Sequence, residues 1–354
     1  MALKPLVITT LALFASVSLA TLAQDGPYKV LRTVKVGGEG GFDYVTADPG
    51  NRTLYVARSG AAGHIGVFSL DTLKQLGDIP GTSAHGATVD DATGHGFATS
   101  KPITMFDAKT YAIIKKIDVQ GNPDGYLNDA VNHRFWVLSH SSPNVTVLDD
   151  KDGSIVTTID LGGAPEQAQA DDRGHVYIDL EDKAAIAVVD ANTMKMTGKY
   201  DISSKSGGCA GLALDAKNNI LFAACREKND MVILSATDGH ILADLPTGVG
   251  CDGATFNPAT NEVFSSQRDG TLTVIKENSP TSFSVEQTVK TMEGAKTLTL
   301  DPKTGHIFLI AAEYGPAPAP EAGAAGPEGR RPGGFRGPRR PMVPGSFSII
   351  EVGK

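Results

Sequence analysis

Seven positions recur along the chain at spacings of 42, 39, 42, 44, 42 and 44 residues: Asp43, His85, Asp124, Glu166, Ala210, Asp252 and Lys296. Four are carboxylates, one is an imidazole and one an ammonium. Gathered round a single opening, the carboxylates would raise one another's pKa or draw in a cation that relieves the repulsion. Asp124, Glu166 and Asp252 offer the oxygens that a hard divalent ion such as Ca²⁺ takes as ligands; no other cofactor is expected. His85 with Asp43 or Asp124 would make a general base and its orienting carboxylate, although no nucleophile accompanies them. A second set, Arg58, Lys101, His140, Glu181, Arg226, Arg268 and Glu313, stands at the ends of the segments that follow and is mostly cationic. An acidic throat inside a basic collar would hold a zwitterion or a polyol acid. The plainer alternative is that long charged side chains at loop ends are solvated. Asp-Gly at 124–125 and 252–253 is also ordinary turn chemistry.

These residues meet only if the segments carrying them converge. Five residues after each of the seven, an Asp or Asn recurs: Asp48, Asp90, Asp129, Asp171, Asp215, Asn257 and Asp301. Residues 208–250 show the unit most clearly, as four short apolar runs separated by Gly, Asn and Asp turns, the mark of an antiparallel meander. The third run recurs as IGVFSLDTLK (65–74), ITMFDAKTY (103–111), VTVLDDKDG (145–153), IAVVDANTMK (186–195), MVILSATDG (231–239) and LTVIKENS (272–279). A period of about 40–45 residues with four strands per unit predicts propeller blades. The fold expected is therefore all-β, a seven-bladed propeller with four-stranded antiparallel blades. Its first strands line a central channel, so the seven positions form the channel mouth. Tyr28–Val36 reads as a fourth strand with no first strand before it, and the last blade has only three. The N-terminal strand is expected to complete it and close the ring.

Several stretches resemble the YncE-like, or YVTN-repeat, propellers of bacteria: LYVA at 54–57, the V-V-D-x-x-T-x-K run at 188–195, NPATNEVFSSQRDGTLTVI (257–275) and DPKTGHIF (301–308). The resemblance covers nearly the whole chain after residue 23 and implies the same seven-bladed fold. It implies no particular reaction, because propellers host many activities.

Composition sets the outer limits. The net charge of −8 argues against a general nucleic-acid binder. Residues 1–23 read as a signal peptide, with Lys4 before an apolar run too short to span a bilayer and small residues ahead of a cleavage point near Ala23. The mature chain, 24–354, is expected in the periplasm or outside the cell, as a monomer. Such a location permits a disulfide. Of the three cysteines, Cys209 and Cys225 fall at paired positions of one blade and are the expected bridge, leaving Cys251 over. His95, His133, His175 and His306 share one turn position on the opposite face, and Phe135 and Trp136 are expected to pack between blades. Residues 315–344 break the period with Pro, Gly, Ala and Arg and are expected as a disordered insertion on the functional rim. Its basic stretch at 330–340 is the only route to a nucleic acid or a membrane surface.

No G-x-S-x-G elbow, H-E-x-x-H or phosphate loop is present. The expected function is an exported binding or scaffold propeller that offers its mouth to a small molecule or a protein. The alternative is a metal-assisted, lactonase-like hydrolase acting on a sugar lactone at the same mouth.

Overall fold

A computed structural model of the chain describes residues 26–316 and 340–354. The expected signal peptide, and most of the 315–344 insertion with its basic stretch, lie outside the described residues. Within them the chain forms seven four-stranded antiparallel sheets, and a single 3₁₀ turn, Glu181–Lys183, is the only helical segment among the described residues. The inner strands, one per blade, are Gly41–Asp48, Ala84–Asp90, Pro123–Asp129, Pro165–Ala170, Cys209–Asp215, Cys251–Asn257 and Leu298–Asp301. Each touches the inner strands of both neighbouring blades, and the last touches the first, so the wheel is closed.

The recurring Asp or Asn ends each inner strand for a local reason. Its side-chain oxygen accepts the backbone N–H two or three residues on, which shapes the turn into the second strand. Asp48 accepts from Asn51 at 3.0 Å, Asp90 from Thr93 at 2.9 Å, Asp215 from Lys217 at 2.9 Å and Asp301 from Lys303 at 3.1 Å. The repeat visible in the sequence is thus a turn requirement met seven times.

Packing follows radial position. Second and third strands are sandwiched between neighbouring blades: every residue of Ile220–Cys225 is buried, whereas most of the outer strand Ile113–Ile117 is exposed. The apolar clusters lie between successive blades. Phe135 stacks on Phe97 of the preceding blade with ring centroids 5.0 Å apart, and Trp136 is buried in the cluster shared with the following blade.

The N-terminal strand, Lys29–Lys35, pairs antiparallel with Ser348–Gly353 and completes the seventh blade, as the missing fourth strand required. Tyr28 secures it: its ring meets Phe264 edge-on at 5.2 Å and its hydroxyl donates to Glu262 of the sixth blade. Arg52 of the first blade adds a clamp, donating to Asp301 of the seventh at 2.8 Å. Cys209 and Cys225 stand opposite each other in register and are joined by a disulfide, and Cys251 is free and buried.

Candidate functional site at the channel mouth

The mouth residues sit at one structural irregularity repeated round the wheel. In six of the seven blades the pairing of inner with second strand shifts by one residue: between Phe42 and Val45, Ala84 and Ala87, Pro123 and Tyr126, Pro165 and Ala168, Cys209 and Gly211, and Cys251 and Gly253. Asp43, His85, Asp124, Glu166, Ala210 and Asp252 each lie inside such a bulge. A bulge carries an extra unpaired residue and re-aims its side chain. Here it turns a position of the sheet toward the axis.

The groups that converge alternate in sign. Lys296 donates to Asp43 at 2.7 Å, and the opposite Asp43 oxygen lies 2.8 Å from His85 Nδ1. The same Nδ1 is 3.1 Å from Asp124 Oδ1. His140 follows, with Nδ1 3.4 Å from Asp124 Oδ2 and Nε2 2.7 Å from Glu166. In the other direction Lys296 reaches Asp252 at 2.7 Å, and Asp252 also meets Arg268 at 3.0 Å and Arg226, which continues to Glu181. Five carboxylates therefore face three permanent cations and two imidazoles, for a net charge of −2 with neutral imidazoles or zero with both protonated.

This changes the picture drawn from spacing alone. Throat and collar do not form separate acidic and basic rings; they interleave. Burial works against the Asp43 charge, but Lys296 and His85 outweigh it and hold the carboxyl at about 2. Mutual elevation holds for Asp124, where burial raises the carboxyl and Asp43 adds to it against His85 and His140. The trio Asp124, Glu166 and Asp252 does not come together. Asp124 and Glu166 share His140, while Asp252 faces its three cations; the convergent ligand sets among the described residues are Asp43–His85–Asp124 and Asp124–His140–Glu166. Arg58 leaves the mouth altogether: only 2% exposed, it donates to the carbonyls of Gly37, Gly40 and Gly41 and lies 3.7 Å over the Phe347 ring. Lys101 donates to the Gly121 carbonyl, and Glu313 pairs with Lys35 at 3.0 Å in solvent. The opposite-face histidines are taken up by turns: His95 lies 2.9 Å from the Asp150 carbonyl oxygen and His175 lies 2.9 Å from Asp171.

The floor of the mouth was not anticipated. The residues just after the seven mouth positions are Tyr44, Gly86, Gly125, Gln167, Gly211, Gly253 and Thr297. The two large ones reach beyond their own blades. Tyr44 donates to the Glu166 carbonyl at 3.2 Å from the far side of the ring, and Gln167 Oε1 accepts from Leu212 N at 2.8 Å and Ala254 N at 3.2 Å. Beneath them Tyr126 meets Thr46 and packs edge-on against Tyr44. The hub is a cup whose walls these contacts tie together. The signal for it was two bulky residues in a row that is otherwise small.

The glycines of that row are there for space. A Cβ on Gly125 would lie 2.2 Å from the Glu166 carbonyl oxygen, and one on Gly211 2.7 Å from the Gly253 backbone. Neither has a positive φ, so Asp124-Gly125 is not turn chemistry. Gly125→Ala must push back the strand that carries Glu166, and we expect it to cost about 1–3 kcal/mol in chemical denaturation. Gly198→Ala, whose Cβ would meet nothing closer than 3.9 Å, serves as the control and should stay within about 0.5 kcal/mol of the parent.

His140 gives the cup a pH dependence. Its hydrogen bond to Glu166 outweighs burial and raises the imidazole from its ordinary 6.5 to about 9. A raised folded-state pKa stabilises fully below the unfolded value of 6.5, and the contribution is lost as pH climbs through 9. Unfolding midpoints should therefore fall between pH 6.5 and 9. After discounting for a one-third exposed side chain, the effect is up to about 2 kcal/mol. His140→Gln should flatten that slope; an unchanged slope would show that the ion pair is solvent-screened.

Beside the cup, Arg268 also borders a cleft of about 600 Å³ lined by Met292, Glu293, Tyr314 and Arg340, at the base of the insertion.

Known proteins resemble the chain at two levels. No family model matches it. Over 194 residues it is 22% identical to the "Uncharacterized protein YncE" of Salmonella typhi and, equally, to that of Salmonella typhimurium strain LT2. That match takes in 52% of the chain, and the chain spans about half, 54%, of each relative's length. Among solved structures, the RRP9 WD40 repeats superpose with a TM-score of 0.71 at 12% identity, over 92% of this chain and 97% of that one. U3-55K gives 0.68 at 12% identity over 92% and 98%, and the Mitotic Checkpoint Complex 0.67 at 11% over 87% and 96%. At such identities the structural likeness establishes the propeller fold alone.

Proposed function

We propose that the chain is a YncE-like propeller that works as an exported binding or scaffold protein, with the cup as its ligand site and a small dipolar molecule as its ligand. The observation that carries this reading is the division of charge round the cup. Blades five to seven bring Arg226, Arg268 and Lys296 to a single buried carboxylate, Asp252, which is a local excess of cation. Blades one to four carry Asp43, Asp124, Glu166 and Glu181 beside two imidazoles, a local excess of anion. A ligand with an anionic group at one end and a cationic or hydroxylated end opposite matches both halves. The contacts of Tyr44 and Gln167 and the repeated bulges hold these groups in place before anything binds, which lowers the cost of binding. The Cys209–Cys225 disulfide supports an oxidising compartment.

The test is mass spectrometry of small molecules released from the purified, gently denatured protein. A dipolar compound retained by the parent and lost from the double variant Arg268→Gln/Lys296→Gln supports the reading. Equal retention, or capture of a protein at the rim that ignores both substitutions, overturns it.

The hydrolase alternative draws on one observation: His85 is held between two carboxylates at the mouth. Turnover of a sugar-lactone panel that is lost in His85→Gln would favour it over simple binding.

A further inference from the structure

We propose that Asp43, His85 and Asp124 form a site for one divalent transition-metal ion of the zinc class, set into the wall of the cup. This rests on the cup being the ligand site and goes further by naming an inorganic partner for it.

The argument begins with a shortage of hydrogen. His85 Nδ1 lies 2.8 Å from Asp43 Oδ2 and 3.1 Å from Asp124 Oδ1. One N–H can point along only one of these lines. Asp124 Oδ1 is accordingly a buried carboxylate oxygen without a hydrogen-bond partner, on a residue only 8% exposed. An unpartnered carboxylate oxygen in such a place is costly. The protein does not relieve it from the other side, because His140 addresses the second oxygen, Oδ2, at 3.4 Å. A cation standing where the Nδ1 proton would be serves the nitrogen and both oxygens at once.

The distances suit the replacement. Bonds of about 2.0–2.2 Å at right or tetrahedral angles set ligand atoms roughly 2.8–3.6 Å apart. The two nitrogen–oxygen separations observed, 2.8 and 3.1 Å, fall in that span, and all three ligand atoms lie within 4.8 Å of one another. Each remaining oxygen already has its own partner: Lys296 donates to Asp43 Oδ1 at 2.7 Å and His140 lies beside Asp124 Oδ2. Such outer contacts fix the plane of a ligating carboxylate. The other convergent set, Asp124–His140–Glu166, is the weaker candidate, because the two ring nitrogens of His140 already face one carboxylate each.

Ligand chemistry selects the ion. Ca²⁺ takes six to eight oxygens at about 2.3–2.6 Å. A central imidazole with two carboxylates favours zinc and its neighbours in the first transition row. Three protein ligands leave positions open toward the cup, where the anionic end of a bound molecule would complete the coordination.

The experiment uses the full chain, stripped with chelator and titrated separately with Zn²⁺, Co²⁺ and Ca²⁺. One equivalent of Zn²⁺ should bind, and Co²⁺ should develop visible d–d absorption. His85→Gln and Asp124→Asn should each weaken Zn²⁺ by more than about tenfold, since even an outer-shell loss costs that much. His85 is 41% exposed at its side chain, so His85→Gln keeps the test decisive if the buried Asp124→Asn fails to fold. His175→Gln, on the opposite face, should bind as the parent does. No stoichiometric Zn²⁺ binding, or affinity unchanged in His85→Gln, overturns the proposal. So does Ca²⁺ binding as tightly as Zn²⁺. If the dipolar compound is still retained by the chelated protein and lost from Arg268→Gln/Lys296→Gln while Zn²⁺ does not bind, the metal site alone fails. Loss of both removes the cup itself.

Discussion

A chain shortened to begin at Val36 should not form a stable wheel. Lys29–Lys35 supplies the outer strand of the seventh blade, and Ser348–Gly353, every residue of which is buried, would become its bare edge. Tyr28 would leave the cluster it shares with Phe264, Leu309 and Val352. Burying one large apolar side chain is worth about 1.5–3 kcal/mol. Tyr28 with Val30 and Val34, and the strand's hydrogen bonds, then approach the roughly 5–15 kcal/mol that keeps a whole domain folded. The exposed edge is also a template for pairing with other chains. The truncated protein should elute as aggregate or as an expanded species without a cooperative melt. A peptide covering residues 26–36, added during refolding, should restore part of the transition. A soluble monomer melting at the parent temperature would show that the ring needs no closing strand.

Asp252→Ala should be among the most damaging single substitutions at the mouth. The carboxylate is 2% exposed and meets Arg226, Arg268 and Lys296. Its loss leaves three crowded cations, of which Arg226 keeps Glu181 and Lys296 keeps Asp43. Breaking a buried pair from one side costs about 3–5 kcal/mol, because the remaining charge is left uncompensated. Urea denaturation should register that loss. Sulfate should recover more stability in the variant than in the parent, since the freed cations present an anion site. Parent-like denaturation, or equal sulfate effects in both, would mean that the three cations relax into solvent and that Asp252 does not organise them.

How much of this was legible in advance depended on the range of the interaction. The blade count and the N-terminal closure were readable because each rests on a local requirement repeated in the chain: an Asx turn after every inner strand, apolar runs of strand length, and a last blade one strand short. The convergence of Asp43, His85, Asp124, Glu166, Asp252 and Lys296 followed from that periodicity. What spacing could not supply was direction. A bulge adds one residue without altering composition, so the aim of each mouth side chain is absent from the pattern. Arg58 and Arg268 occupy equivalent places in the repeat. One is buried over Phe347, donating to three glycine carbonyls, and the other faces Asp252.

The sequence by itself therefore determined the wheel, since turns and strand periodicity are properties of neighbours along the chain. Only the tertiary structure decided which charges touch and that Tyr44 and Gln167 reach other blades. It also decided that one imidazole nitrogen must serve two carboxylates. Those are contacts round and across the axis between residues far apart in the chain, where ångström-scale placement sets which partner each group receives.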